Sequence, residues 1–456
     1  MKLRVFAAVA ACRFTRWLLR VTGRGGTALP GKVALKLCPG LLGYLAKDVK
    51  TVAVTGTNGK TTSARMIEQA FSNAGMSYFA NRSGSNLIQG ITAEFAANST
   101  LTGKNKKEYA VIECDEAACM KVLGFLKPKV IVVTNIFRDQ LDRFGEVTTT
   151  LGDIKLGISH TPDTVMCLNA DCSLTASLAG DLPNKCVFYG VNVPIYRHEI
   201  SEVSDAQNCI RCKAEYEYDW RTYGHLGGFR CPECGYHRPD AQVAVTKIIE
   251  LTADSSTVEM DIFGQSVTAR INLPAGYNIY NAAGATAALL QMGFGVSDAV
   301  QALSGFECGF GRMEAFRKDG CDIRMILVKN PAGCNQVLSF LCEIDEPSLF
   351  VVCLNDRTAD GTDISWIWDA EFEKLCTLGD KLTGVLVSGI RRDDMVMRLK
   401  YAGLPAEKVR VIADYGELLD EMCAKPQKVF VMPTYTAMLD LRARLSQATG
   451  GSKFWE

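Results

Sequence analysis

The chain has 456 residues, 48% of them apolar and 22% charged, with 50 Lys and Arg balancing 50 Asp and Glu. This length exceeds one ordinary core, so two or three domains are expected, and the composition excludes a predominantly disordered chain. The neutral balance argues against a dominant nucleic-acid surface.

At the N-terminus, residues 2–20 mix basic and apolar side chains. Arg13, Arg16 and Arg20 interrupt the apolar stretch, which argues against a secretory leader. A packing helix and a helix touching a membrane surface both remain open readings. No run reaches the ~20 apolar residues that span a bilayer. A Gly-rich connector is expected over residues 23–40. Short β-branched runs at 51–54, 109–112 and 130–134 then read as buried strands alternating with helices, the pattern of a parallel α/β sheet. Composition shifts to Cys, Tyr, Gly and Arg at 208–240, and strand patterns resume at 243–250 and 257–262. After a Gly-rich turn at 305–311, five further strands are expected at 323–328, 349–354, 384–387, 409–412 and 428–432, a Rossmann-like series. The expected domains are therefore 1–47 (helix and connector), 48–305 with 208–240 inserted, and 306–456.

The segment from Val52 to Phe71 places a strand before a loop of Gly56, Thr57, Asn58 and Gly59, and a helix after it, beginning near Lys60. Such a turn aims backbone N–H groups and the helix dipole at one point, which suits a phosphate. Lys60 would add a point charge, and Thr61 or Thr62 a hydroxyl for Mg²⁺. The spacing departs from the strict G-x4-G-K-[ST] rule, because Val54 stands where the first Gly would be.

Eighteen cysteines, most of them single within apolar runs, fit a reducing cytoplasm. Four are different: Cys209-x2-Cys212 and Cys231-x2-Cys234, eighteen residues apart, match a zinc ribbon. Four thiolates leave no open position, so the expected zinc is structural. His225 and His237 lie nearby and are not needed as ligands. The aromatic residues around the ribbon read as packing of a small module rather than as nucleic-acid stacking.

The loop TGTNGKTT resembles the ATP loop of the Mur ligases and folylpolyglutamate synthases, which activate a carboxylate as an acyl phosphate for attack by an amine. Further motifs follow in the family's order. Glu113 resembles the second Mg²⁺ carboxylate; Asn135, Asp139 and Asp142 match the N-x3-D-H-L-D stretch; Asn278 and Asn281 match the adenine segment; Arg312 stands in the place of the interdomain nucleotide arginine. The resemblance implies ATP and Mg²⁺ as cofactors and a central ATP-binding α/β domain followed by a Rossmann-like one.

Three family histidines are missing. Gln140, Tyr277 and Lys329 occupy their places, and Ile326 replaces a ribose-binding Asp. These departures, the four-cysteine insert and the stretch ADGTDISWIWDAEFE resemble one branch, the ligase-like subunit of the lipid II isoglutaminyl synthases. That branch would amidate the D-glutamate α-carboxylate of lipid II with ammonia from a partner glutaminase of the GatD type, as a heterodimer. The chain carries no His after His237, so it offers no base for a glutaminase Cys in that half. In the family an Asp of this subunit completes the partner's Cys–His pair, and Asp360 and Asp363 are both candidates. The resemblance implies a cytoplasmic enzyme and leaves a place at the inner membrane face open. A stand-alone ligase adding an amino acid and a non-catalytic nucleotide-binding zinc protein remain the alternatives.

Overall fold

The runs expected as buried strands pair into two sheets in the computed structural model, which describes residues 2–22, 28–82, 85–138, 147–196, 205–252, 254–306 and 312–449. In the first sheet, β1 (Lys50–Thr55), β2 (Tyr78–Ala80), β3 (Tyr109–Glu113), β4 (Val130–Val133), β5 (Val165–Asn169) and β6 (Cys186–Val191) run parallel. The chain then makes a separate two-stranded ribbon, β7 (Glu217–Tyr223) with β8 (Leu226–Arg230). It returns as β9 (Val243–Leu251), parallel to β6, and finishes with β10 (Ser256–Ile262) and β11 (Gln265–Ile271) as an antiparallel meander. The spatial order is β11-β10-β9-β6-β5-β4-β1-β3-β2.

Val52, Ala53 and Val54 of β1 have no exposed surface. Helices cover both faces of such a central parallel strand, so its sequence is continuously apolar rather than alternating. From β3 the chain crosses back over β1 to reach β4, so strand order reverses beside β1. Ligands of open α/β sheets gather at the carboxyl ends of the strands at such a reversal.

The second sheet contains β12 (Arg312–Lys318), β13 (Cys321–Ile326), β14 (Ser348–Cys353), β15 (Leu382–Ser388), β16 (Val409–Val411) and β17 (Lys428–Pro433), in the order β12-β13-β17-β14-β15-β16. Alternate residues of β14 serve opposite layers. Phe350 and Val352 join the core with the helix Pro331–Cys342, whereas Leu349 and Val351 pack toward the helices Tyr415–Met422 and Tyr435–Thr449. Only β12 runs antiparallel to its neighbour. This strand was not expected from the sequence, because RMEAFRK alternates weakly and sits at a sheet edge.

The stretch expected as a connector is instead helical over Ala28–Leu37. Gly31 is there for contact, not for flexibility: a Cβ at this position would lie 1.7 Å from the Gln89 carbonyl oxygen, where the helix Ile88–Ala97 crosses. Before it, the helix Lys2–Val21 buries Val5, Ala8, Val9 and Cys12. Among the described residues no helix is long and apolar enough to cross a membrane.

Candidate functional site

Strand β1 delivers the chain into the loop at residues 56–59, and Gly59 turns it into the helix Lys60–Asn73 with φ of +89°. A side chain is excluded there on two grounds: the left-handed conformation and a Cβ that would lie 2.0 Å from Asn281 Oδ1. No side chain caps this helix and no acid lies in its first turn. Its N–H groups and positive dipole end thus face the loop. The loop is held from behind by β4's exit. Thr57 N donates to the Asn135 carbonyl (2.8 Å), Asn58 N to Asn135 Oδ1 (2.9 Å), and Thr134 Oγ1 to the Asn58 carbonyl (2.7 Å).

Lys60 is buried, and its Nζ donates to the Gly56 carbonyl (2.5 Å), to the Thr57 carbonyl (3.3 Å) and to Glu116 Oε2 (3.1 Å). Thr61 Oγ1 donates to Glu113 Oε2 at 2.8 Å. Glu113 ends β3 level with Val54, and Asn81 grips its backbone from the other side, accepting from Glu113 N (2.9 Å) and donating to its carbonyl (2.7 Å). Thr62 lies one turn position beyond, buried at the cleft wall. Asp115 caps the helix Glu116–Leu126. Burial first, then the neighbouring Glu116, raise its pKa, opposed by Lys60 and Lys329. The segment ILVKNP therefore brings a cation toward the same corner, although its family histidine is absent.

A cleft between the two sheet units continues from the loop. Asn58, Gly59, Thr62, Asn135, Tyr277, Asn278 and Asn281 line one side, and Ile326, Ala332, Gly333, Gln336 and Val337 the other. Asn281 Nδ2 donates to Asn278 Oδ1 (3.1 Å), which ties the two expected adenine residues together. Asn330 caps the helix Pro331–Cys342 by accepting from Gly333 N and also donates to Asn58 Oδ1 (3.3 Å), joining the two sides. The amide of Gln336 is buried with neither polar atom paired, a group that a ligand in the cleft can satisfy. Arg312 opens β12 with its backbone opposite Ile326. Asp139, Gln140 and Asp142 lie outside the described residues.

The expected ribbon cysteines come together: the Sγ atoms of Cys209, Cys212, Cys231 and Cys234 all lie within 4.8 Å of one another. Cys209 and Cys234 are 3.6 Å apart, and Cys212 and Cys231 3.3 Å. Four sulfurs held about 2.3 Å from one tetrahedral metal would sit just under 4 Å apart, so the set fits such an ion. Each C-x2-C turn is completed by a residue of positive φ, Lys213 (+69°) and Gly235 (+71°). Burial alone would raise the Cys209 thiol, but N–H groups of Cys212 and Arg211 outweigh it and lower its pKa to about 6. Neither nearby histidine joins the set. His225 is fully buried with Nε2 3.4 Å from Cys172 Sγ, and His237 Nδ1 lies 2.8 Å from the Gly235 carbonyl.

The base of the ribbon reaches the cleft. Tyr223 lines it and stacks on Phe137 (5.5 Å, 16°). Below, Asp171 receives Arg238 Nε (2.7 Å) and the Tyr280 hydroxyl (2.6 Å), which anchors the ribbon to the first sheet.

Asp360 and Asp363 have different surroundings. Asp360 is buried and accepts from Thr436 N and Thr436 Oγ1, both at 2.6 Å, and from Arg357 N at 3.1 Å. Asp363 is half-buried and accepts from Ser365 N (2.8 Å). Hydrogen bonds from the Ser365 side chain and backbone hold its carboxyl below the usual range.

Residues 54–227 match the Mur ligase middle domain, and residues 327–438 the MurT ligase C-terminal domain. The lipid II isoglutaminyl synthase (glutamine-hydrolyzing) subunit MurT of Streptococcus pneumoniae is 34% identical over 458 residues, covering 98% of both chains. The chain belongs to the MurT family. Its MurT counterpart from Staphylococcus aureus is 30% identical over 99% of this chain and 100% of that one. Solved structures show the same α/β fold at low identity. A pseudomurein peptide ligase type C from Methanothermus fervidus superposes with a TM-score of 0.65 at 18% identity, over 89% of this chain and 80% of that one. MurF from Thermotoga maritima, solved in complex with ADP, gives 0.62 at 14%, over 91% and 84%. As a MurT-family member the protein is an enzyme subunit of the ligase class.

Reading the sequence missed Glu116, Asn81, Asn330 and Gln336, and took Tyr223, which lines the cleft, for packing of the ribbon alone. Asn330-Pro331 carries a readable signal, a cap residue followed by proline at the first helical position. The others come from separate elements and announce nothing locally.

Proposed function

We propose that this MurT-family chain is the activating subunit of an ATP-dependent amidotransferase that converts the D-glutamate α-carboxylate of lipid II to the D-isoglutamine amide. The observation that carries this reading is the convergence of an open helix N-terminus, Lys60 and the Thr61–Glu113 pair at one end of the cleft. Full-length relatives named for that synthase support it.

ATP with Mg²⁺ would supply the transferable phosphoryl group and offset its charge. Gly56, Thr57, Asn58, Gly59, Lys60, Thr61, Thr62, Asn278, Asn281 and Arg312 would hold the nucleotide, and Thr61 and Glu113 the metal; the Gly59 cradle, which a Cβ would fill, fits such a ligand. Lys60 and the helix N–H groups stabilise negative charge as it spreads during transfer. A substrate carboxylate oxygen would take the phosphoryl group as its bond to ADP breaks, giving an acyl phosphate; ammonia would then form the C–N bond and lose a proton as phosphate departs with the C–O electrons. Ammonia comes from a GatD-like glutaminase partner, whose Cys–His pair Asp363 completes. Asp360, engaged on both oxygens, is a latch within this chain. The four cysteines hold a structural zinc. Residues 48–305 form the ATP-binding unit with 208–240 inserted, 306–456 are the Rossmann-like C-terminal domain, and the enzyme works at the inner membrane face.

The test is amidation of lipid II by the purified chain with ATP and ammonium, then with glutamine and the partner glutaminase, read by mass spectrometry. An amide product in both arms is expected. No ATP-dependent product in either arm, or an amino acid added by the chain alone, would overturn the reading.

A further inference from the structure

The first 47 residues hold nine Lys and Arg and no Asp or Glu, whereas the remaining chain carries 41 basic against 50 acidic residues. The charge balance of the whole molecule hides a strongly basic end. Its described residues, 2–22 and 28–47, are folded, and the outward side of the first helix is apolar. On the helix Lys2–Val21, the buried Val5, Ala8, Val9 and Cys12 mark one side. Leu3, Phe6, Phe14, Trp17, Leu18 and Val21 are 82%, 45%, 61%, 56%, 45% and 65% exposed. At about 100° per residue these six fall within an arc of roughly 120° diametrically opposite the buried set. Twenty residues give this stripe a length of about 30 Å. No polar side chain interrupts it, since Ala7 and Ala10 fill the remaining positions of the arc.

Contiguous exposed apolar surface on this scale marks an interaction site. Its surroundings indicate which kind. Lys2, Arg4 and Arg20 are exposed beside the stripe, and the neighbouring helix Ala28–Leu37 adds exposed Lys32 and Lys36 with Leu29 and Leu37. Near the first turn a groove is lined by Leu3, Phe6 and Tyr44 together with Lys2, Lys47 and Lys104, three cations against the one acid Asp48. Apolar strip, flanking cations and a tryptophan form the pattern of a helix lying in a lipid interface. A second copy of the chain would bring two segments of like charge together, which disfavours self-association through this face.

We propose that the helix Lys2–Val21 docks this protein on an anionic bilayer surface, with Leu3, Phe6, Phe14, Trp17, Leu18 and Val21 at the headgroup–acyl boundary and the surrounding Lys and Arg on lipid phosphates. This rests on the face and its charge alone and goes beyond the ligase reading, naming the surface and its lipid chemistry.

The test is flotation of the full chain with vesicles of phosphatidylglycerol and phosphatidylcholine, against vesicles of phosphatidylcholine alone, with no lipid II and no nucleotide. Wild type is expected to float with the anionic vesicles and to bind neutral ones about tenfold less, with added salt weakening the anionic arm. Phe14→Asp with Trp17→Asp removes flotation and leaves the thermal melt unchanged, since neither side chain is in the core. Lys32→Glu with Lys36→Glu weakens anionic binding without that loss of apolar contact. The proposal is overturned if wild type stays unbound to anionic vesicles, if the double Asp variant floats as well as wild type, or if wild type sediments as a dimer that those substitutions split. Because the vesicles hold neither substrate nor nucleotide, these outcomes are independent of whether the chain amidates lipid II.

Discussion

Lys60 Nζ lies 3.1 Å from Glu116 Oε2, with the two side chains only 10% and 7% exposed. A desolvated pair of this kind is costly to break from one side, because the remaining charge stays buried. Lys60→Ala is expected to abolish ATP turnover and to destabilise the fold by about 3 kcal/mol. Adding Glu116→Gln to that variant restores much of the stability and none of the turnover. Denaturant melts and an ATPase assay check both; retained turnover in Lys60→Ala sinks the phosphate-loop assignment.

Cys209→Ser removes one of four ligands from a closed set. Metal content measured by atomic absorption is expected to fall from about one equivalent to near zero. Nucleotide affinity should weaken with it, because the ribbon's base carries Tyr223 into the cleft and keys onto Asp171. Unchanged metal content and solubility would show that the four cysteines are not the metal site.

Asp363→Asn is expected to cut glutamine-dependent amidation by at least about a hundredfold while sparing the ammonia-dependent reaction and the melting temperature. Asp360→Asn should behave oppositely. It loses charge-assisted bonds to Thr436, costing about 1–3 kcal/mol, with both reactions retained once the protein is folded. A loss of glutamine use confined to Asp360→Asn would exchange the roles.

His225 is fully buried, and burial pushes its pKa down from 6.5 to about 3. The unfolded chain therefore binds a proton that the folded one refuses between these values. The stabilising contribution is complete above about pH 6.5 and is lost as pH falls toward 3. By about pH 5 the expected loss is about 2 kcal/mol. His225→Phe cannot titrate, so urea midpoints from neutral pH to pH 5 should fall less for the variant than for wild type. Parallel slopes, with metal content matched, would remove His225 as the cause.

Much of the site was readable because it is contiguous in the chain. Residues 56–62 form one strand-to-helix turn, and each C-x2-C pair forms one knuckle, so local spacing alone placed them. The parallel strands were visible as β-branched runs, since strands covered on both faces leave no polar residue to break the pattern. The edge strand β12 and the helix Ala28–Leu37 were not visible. One alternates weakly, and in the other Gly31 suggested a loop although it serves a close helix crossing.

From sequence alone followed the α/β class, the strand-to-helix turn that carries Lys60 and Thr61, the strand-end position of Glu113 and the four-cysteine set, all written in short stretches of chain. Tertiary structure decided what those residues meet. It set Glu116 against Lys60, brought Asn330 across to Asn58 and placed the unpaired Gln336 amide opposite Asn278 and Asn281. It also separated two aspartates that look alike in the sequence: Thr436, 76 residues further on, takes both oxygens of Asp360 and none of Asp363. Hydrogen bonds and buried charge pairs depend on distance in space, and no local pattern encodes a partner that only folding brings near.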